Sequence, residues 1–213
     1  MEKENTVTGE IAIITGNSRG IGRSIKGKLR EYGVIVPDIS TTDGYDLVEN
    51  GIEKLIEVFP TTDILINNVG GGGRWGEDID PWEFDEWDKI YEKNAGIARK
   101  LTTHYLPGMI AQGWGRIITI ASIYGTESGG LPWFTIAKAS QIALNKELAR
   151  KCYPGITINT ISPGPVKDAG KRIDEGIESI DIANLALFLC SDLAKNISGQ
   201  NIVIDKGKYT RSF

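Results

Sequence analysis

Residues 11–22 read Ile11-Ala12-Ile13-Ile14-Thr15-Gly16-Asn17-Ser18-Arg19-Gly20-Ile21-Gly22, and this stretch decides the fold. The four apolar residues suit a short buried strand. After the glycines, Ile21, Ile25 and Leu29 recur at helical spacing, and Gly33 stands where that helix should stop. Strand, glycine turn and helix together aim backbone N–H groups and a helix N-terminus at a phosphate. Glycine permits the sharp turn and lets an anion approach where a Cβ would block it. The first expectation is a bound nucleotide.

Strand and helix signals alternate along the rest of the chain, with no repeat, linker or low-complexity tract. Val34-Ile35-Val36 reads as a second strand, and residues 63–67 (DILIN), 116–121 (RIITIA), 156–161 and 201–205 (NIVID) as further ones. Between them, Val48, Ile52, Leu55, Ile56 and Phe59 share one helical face that ends at Pro60. Asp80 and Pro81 suit a helix start. From Trp82 a long helical pattern runs to Met109, interrupted near Asn94-Ala95-Gly96. Residues 132–150 and 180–193 read as two more helices, the first with Ile142, Leu144 and Leu148 on or near its inner face. Short apolar strands alternating with helices imply parallel βαβ units and right-handed crossovers. The expected fold class is α/β: a Rossmann-type, doubly wound, seven-stranded, mainly parallel sheet with helices on both faces, forming a single domain over residues 1–213. Such a sheet binds its ligand beyond the carboxyl ends of the strands, where the strand order reverses.

Composition narrows the function. The chain has 213 residues, a formal net charge of −4 and a sequence pI of about 5.2, so no general basic face is offered to nucleic acid. Cys152 and Cys190 are far apart and lack metal-ligand spacing, so neither a metal site nor a disulfide framework is expected, and a reducing cytoplasm fits. The polar start MEKENTVTGE shows no signal peptide, and no apolar run reaches membrane-spanning length. Gly16-Asn17-Ser18-Arg19-Gly20 also satisfies G-x-S-x-G, the nucleophile elbow of serine hydrolases. That reading makes Ser18 a nucleophile and needs an acid followed by a histidine. His104 is the one histidine, and it reads more simply as an ordinary helix residue.

Five features, in order and at matching spacing, resemble the short-chain dehydrogenase/reductase family from about Glu10 to Gly207. They are the turn Thr15 to Gly22, the run Asn67-Asn68-Val69-Gly70, Asn94 within the long helix, Ser122 after the fourth strand signal, and Pro163-Gly164. The resemblance implies hydride transfer between NAD(P) and a carbonyl or alcohol. By the same resemblance Ser122 holds the substrate oxygen, Asn94 anchors a water in a proton relay, and Lys138 lowers the pKa of a catalytic tyrosine and holds the nicotinamide ribose. A phenol titrates near pH 10, and a neighbouring ammonium brings it toward the range where acid–base catalysis is efficient.

The tyrosine is missing. The family motif Y-x-x-x-K is here Phe134-Thr135-Ile136-Ala137-Lys138, and Leu131 occupies the longer spacing used by enoyl reductases. A phenyl ring neither gives nor takes a proton, and losing a positioned acid costs on the order of a hundred- to ten-thousand-fold in rate. Three explanations stand open: an engineered Tyr→Phe change; another acid, with Tyr124, Ser122 or a water on Lys138 as candidates; or a nucleotide-binding sensor or scaffold without redox chemistry.

The resemblance assigns cofactor contacts to Gly16, Ser18, Arg19, Gly20, Ile21 and Gly22 in the turn, to Asp38, Asp46 and Leu47 on the adenosine side, to Asn68, Val69, Gly70 and Lys138, and to Pro163, Gly164 and Val166 toward the carboxamide. Asp38 would favour NAD by accepting from the ribose, although Ser40 competes for that position. Arg19, with Ser40, Thr41 and Thr42, favours NADP, which is the preferred cofactor of the two. The helix of the second crossover is absent from the pattern, with the motif Asp43 to Leu47 arriving early. Lys167, Lys171, Arg172 and Arg74 are candidates to hold an anionic small-molecule substrate. A solvated charged loop that also carries Asp174, Glu175 and Glu178 is the plainer reading, and Asp168 stands where many members of the resembled family have threonine. Trp82, Phe84 and Trp87 read as core or subunit contacts. Family analogy adds a homodimer or homotetramer.

Overall fold

The computed structural model describes residues 7–41, 44–72, 84–127, 131–152, 154–167 and 176–208, with 84–86 as backbone only. Five strands, β1 (Ala12–Ile14), β2 (Ile64–Asn67), β3 (Gly115–Ile120), β4 (Ile156–Pro163) and β5 (Asn201–Ile204), pair in chain order. Every pairing is parallel, with Ile14 opposite Ile66, Asn67 opposite Thr119 and Ile161 opposite Ile202. Both faces of a parallel sheet are buried, so its strands read as unbroken apolar runs. Alternate side chains then divide between two cores. Ala12, Ile14, Ile64, Ile66, Ile118, Ile120 and Ile161 point to one. Ile13, Leu65, Ile117, Ile156 and Ile158 point to the other.

The helices follow that division. Helix α1 (Gly20–Glu31) buries Gly22, Ile25 and Leu29 on the first face, together with α6 (Ser179–Cys190). Helices α2 (Gly51–Val58), α4 (Ile97–Gln112) and the C-terminal half of α5 (Pro132–Cys152) cover the second. The expected break in the long helix is a π-helical turn, Glu92–Gly96, between α3 (Phe84–Tyr91) and α4.

Among the described residues the sheet has five strands rather than seven. The expected second strand is reduced to one parallel bridge, Ile35 to Ile11, held by Ala12 N–H donating to Ile35 O at 2.9 Å and Ile35 N–H donating to Glu10 O at 2.8 Å. Pro37 follows immediately and removes a ladder donor. Among the described residues, no α-helix or further strand lies between this bridge and α2, so the chain crosses from one side of β1 to the other without a full crossover unit. The bridge still sets the strand reversal at β1, the switch point of an open α/β sheet.

Helix α5 also differs from expectation. Ile142, Leu144 and Leu148 are half-buried, whereas Lys138, Gln141 and Asn145 face inward with Trp133 and Ala149. Arg116 is another buried charge, 2 % exposed, at the amino end of β3. It donates to Gly115 O and Gly155 O, both at 3.0 Å, and to Cys190 O at 3.1 Å, and stacks on Trp114 at 4.3 Å. Its second terminal nitrogen reaches Asp192 at 3.3 Å. These bonds replace the water that Arg116 gives up and tie β3 to the ends of β4 and α6.

At this same end of the sheet, Asp63 Oδ2 accepts from Ile11 N–H at 2.8 Å and Oδ1 accepts from Gln112 at 3.1 Å. Glu10 adjoins the same carboxylate. Burial, and after it Asp63, push the Glu10 carboxyl up to about 7, against the pull of Arg116. A raised carboxyl favours the folded state while protonated. Its contribution is therefore complete below the ordinary value of 4.5 and is lost as the pH rises through about 7. Glu10→Gln should remove that loss. Thermal midpoints of variant and native chain should lie close at about pH 5 and separate in favour of the variant by about pH 8, as read by scanning calorimetry.

Candidate functional site

The site grows from a clasp between the first two strands. Thr15, just after β1, places its hydroxyl where Asn68 N–H and Val69 N–H donate to it at 2.8 and 2.9 Å. The Asn68 side chain returns the contact, donating to Thr15 O at 2.9 Å and Gly16 O at 3.2 Å. On the other side, Asn17 donates to Pro37 O at 2.8 Å and accepts from Ile39 N–H at 3.0 Å. The glycine turn is thus fixed to both neighbours in the sheet. Gly16 and Gly20 have φ of 66° and 53°, the left-handed region that favours glycine. A Cβ at Gly22 would stand 2.3 Å from Gly16 O, so the helix can begin this close to the turn only on glycine. Helix α1 opens with no acidic residue in its first turn and no side-chain cap from Arg19, and Ser18 and Arg19 are exposed. Its amino end therefore carries positive potential that no acidic residue of its own first turn offsets.

The second group lies past the ends of β2 and β3. Asn94, 0 % exposed in the π-turn, grips the backbone of Gly71, accepting from its N–H at 3.1 Å and donating to its carbonyl at 2.8 Å. Asn94 also donates to Ile90 O at 2.8 Å. A Cβ on Gly70 would lie 2.5 Å from Asn94 Oδ1 and 3.2 Å from Lys138 Nζ, so these three residues converge. Lys138 is 4 % exposed and donates to Ile120 O, the last carbonyl of β3, at 2.9 Å. Two residues later, Ser122 caps a short turn and accepts from Tyr124 N–H at 3.3 Å. Phe134, one turn before Lys138 on α5, places its ring centroid 5.5 Å from the ammonium. Burial alone lowers the Lys138 amine from its ordinary 10.5 to about 7.

A third group closes the far side. Pro163 ends β4, and Gly164 N–H donates to Ile204 O at 2.9 Å. Val166 forms a parallel bridge with Ile177, and its side chain joins the core on the α1 and α6 face.

The sequence-predicted residues fall into two sets. The turn Gly16 to Gly22 is joined through Asn68 and Val69 to Gly70, Asn94, Lys138, Ser122 and Phe134. Three adenosine-side residues have contacts within the chain. Asp38 is held by Lys26 at 2.6 Å and Arg30 at 3.4 Å, and its carboxyl is lowered chiefly by the hydrogen bond from Lys26. Asp46 folds its own loop, accepting from Val48 N–H at 3.0 Å. Leu47 is buried in the core beside Ile13 and Ile52. Ser18 and His104 do not form a hydrolytic pair: His104 Nε2 contacts Pro60 O at 3.3 Å, before the start of β2, while Ser18 lies beyond the end of β1. Thr42, Asp43, Arg74, Asp80, Pro81, Trp82, Asp168, Lys171, Arg172, Asp174 and Glu175 lie outside the described residues, as does the side chain of Phe84. Trp87 packs on Trp133 with ring centroids 6.0 Å apart. Among the described residues no three His, Cys, Asp or Glu side chains gather as a metal site, and no helix is long and apolar enough to cross a membrane.

The sequence reading missed Gln141 and Asn145. Gln141 donates to Asn94 O at 2.9 Å, and Asn145 donates to Asn159 O and Thr160 Oγ1, both at 3.1 Å. Lys138, Gln141 and Asn145 stand at i, i+3 and i+7, the spacing of one helical face, and that polar stripe was the available signal.

Known proteins match nearly the whole length of the chain. The family model for enoyl-(acyl carrier protein) reductase matches residues 17–209. The 3-oxoacyl-[acyl-carrier-protein] reductase of Escherichia coli is 31 % identical over 240 residues, covering 94 % of this chain and 98 % of that one. The enzyme of the same name from Aquifex aeolicus is 28 % identical over 250 residues, covering 97 % and 100 %. A (+)-borneol dehydrogenase of Salvia officinalis is 28 % identical over 251 residues, covering 93 % and 89 %. With the family model covering most of the chain and a relative 31 % identical over nearly all of both sequences, the chain belongs to the short-chain dehydrogenase/reductase family.

Proposed function

We propose that the protein is a nicotinamide-dinucleotide-dependent oxidoreductase acting on a carbonyl or alcohol, with NADP(H) preferred. The observation that carries this reading is Lys138. A nearly fully buried amine with three donors has one hydrogen bond among the described residues, to Ile120 O. Buried donors need acceptors, and the hydroxyls of a nicotinamide ribose are acceptors of the right kind. The uncapped start of α1 and the closeness of Gly22 to Gly16 fit a diphosphate in the same way.

In this reading Gly16, Ser18, Arg19, Gly20, Ile21 and Gly22 receive the diphosphate. Asn68, Val69 and Gly70 line the path to the nicotinamide end, Lys138 holds the ribose, and Pro163, Gly164 and Val166 face the carboxamide. The dinucleotide, when bound, supplies or accepts the hydride. Ser122 orients the substrate oxygen. Asn94 keeps the glycine loop, and with it Gly70, against Lys138. Asp38 is the residue expected to exclude a 2′-phosphate, and its engagement with Lys26 and Arg30 reduces that repulsion. The exposed Arg19 offers such a phosphate a partner. Phe134 stands at the family's tyrosine position and leaves the proton step without its usual donor. That feature favours a second reading, a nucleotide sensor or scaffold that holds the dinucleotide without turnover.

Three outcomes test these readings. In titration calorimetry NADPH should bind more tightly than NADH, and Arg19→Ala should weaken NADPH by about tenfold or more with little change for NADH. Equal affinities that ignore Arg19 would overturn the cofactor preference, and no heat with either would overturn the dinucleotide reading. Gly22→Ala should lower affinity for both cofactors and destabilise the chain by about 1–3 kcal/mol, because its Cβ meets backbone. Phe134→Tyr should raise ketone reduction by on the order of a hundredfold. Binding of NADPH without reduction of any ketone, by the native chain and by Phe134→Tyr alike, would favour the sensor.

A further inference from the structure

The chemistry of the site needs a proton at the substrate oxygen, and Phe134 has none to give. We propose that Lys138 itself is the general acid and base of this chain, exchanging its proton directly with the substrate oxygen rather than tuning a phenol. The inference rests on the oxidoreductase reading above and goes beyond it by naming the group that moves the proton.

Geometry limits what the amine can otherwise do. Ile120 O accepts one hydrogen of Nζ at 2.9 Å, and the Phe134 ring, 5.5 Å away at its centroid, has no lone pair to accept another. Asn94 turns its side chain to the glycine loop, its oxygen accepting from Gly71 N–H and its amide donating to Gly71 O and Ile90 O, and among the described residues no hydrogen bond joins it to Lys138. The carbonyl of Asn94 lies in the π-turn and is taken by Gln141 Nε2 at 2.9 Å. Gln141 is 2 % exposed, and its Oε1 is buried without a partner. Gln141 lies one turn further along α5, and of the two Lys138 donors not held by Ile120 O, one serves the ribose in the reading above and one is left for the substrate oxygen.

Charge does not hold the proton on this amine. The ionisable residues on the elements packed against α5 are Asp88, Lys89 and Tyr91 of α3, Glu92 and Lys93 of the π-turn, Arg99, Lys100, His104 and Tyr105 of α4, Tyr124 of the turn after Ser122, and Arg116 at the other end of β3, and none of these charges is a cause of the Lys138 shift. Glu92 is paired with Lys100 at 2.5 Å, and Arg116 is bonded to Asp192. Burial is the cause that brings Lys138 to about 7, where an amine exchanges protons near neutrality. In carbonyl reduction the carbonyl carbon gains a hydride from the reduced dinucleotide, which is thereby oxidised. The C=O π pair forms the new O–H bond as the N–H bond of the Lys138 ammonium breaks. The products are the alcohol, the oxidised dinucleotide and a neutral amine, which regains its proton from water. The reverse reaction starts from the neutral amine.

The test follows single turnovers of the NADPH-loaded native chain across about pH 5.5–9, with two ketones as probes: an acetoacetyl thioester of N-acetylcysteamine, and camphor. The rate should be level at low pH and fall about tenfold per unit above a midpoint near 7. Lys138→Arg stays charged throughout and should lose on the order of a hundredfold or more of the rate. Tyr124→Phe should leave the profile in place, whereas Phe134→Tyr should raise the rate and shift the midpoint. An independent readout is the ¹⁵N resonance of the lysine side chains in the native chain. One should titrate near 7, disappear in Lys138→Arg and move when NADPH is added. A Lys138 that stays charged to about pH 9, a Tyr124→Phe variant that abolishes the pH limb, or a native chain that binds NADPH and reduces neither ketone overturns the proposal. Rescue by Phe134→Tyr in that last case leaves the oxidoreductase reading standing. Absence of any NADPH or NADH binding overturns both.

Discussion

The hydroxyl of Thr15 is the contact on which the site depends. It accepts two backbone N–H groups, from Asn68 and Val69, at the point where the first and second strands of the sheet give way to their loops. Leaving a buried donor without its acceptor costs about 1–3 kcal/mol. This clasp therefore sets the glycine turn against the β2 loop more firmly than packing of either segment alone. The rest follows in sequence: Val69 rests on Gly16, Gly70 is brought to Asn94 and Lys138, and Lys138 is fixed to the last carbonyl of β3. Three strand ends are thus joined through polar atoms rather than through apolar side chains. A crevice meant for a polar ligand needs such walls, because apolar ones would close on each other.

The π-turn serves the same end. An extra residue in a helix releases a carbonyl from the regular ladder and rotates the next side chain relative to the preceding turn. Here the residue so presented is Asn94, with its side chain on the glycine loop and its carbonyl on Gln141. The glycines at 71 and 72 have φ of 106° and 109°, so their path depends on an outside grip, and Asn94 supplies it.

Much of this was legible in the sequence because it rests on local rules. The apolar runs of β1 to β4, the glycine turn and the break at Asn94-Ala95-Gly96 follow from period, propensity and the special freedom of glycine. What escaped the reading depends on partners distant in sequence. The second strand was overcounted because Val34-Ile35-Val36 has the composition of a strand, and whether it forms a ladder is decided by the crossover that follows. The pairing of Asp38 with Lys26 and Arg30 of α1 was likewise not legible, because it joins residues 8 and 12 positions apart through a turn. Arg116 and the inward face of α5 were missed because a search for apolar periodicity passes over polar residues whose partners are carbonyls on other strands. Phe134 was legible at once, because it departs from a residue type that the surrounding motif leads one to expect.

The single bridge at Ile35 leaves the outer flank of the sheet with little cover. Ile35 is 58 % exposed, and its neighbour Ile11 is 38 % exposed. A bare strand margin of this kind invites pairing with another molecule. In this chain the guanidinium of Arg30 folds over Val36 O through both Nε and Nη2, and Asp38 gathers Lys26 and Arg30 beside it. A carbonyl that could have templated an incoming strand is already spent, and two cations stand at its entrance. The shortened crossover thus carries its own guard against stacking of one molecule's sheet on the next.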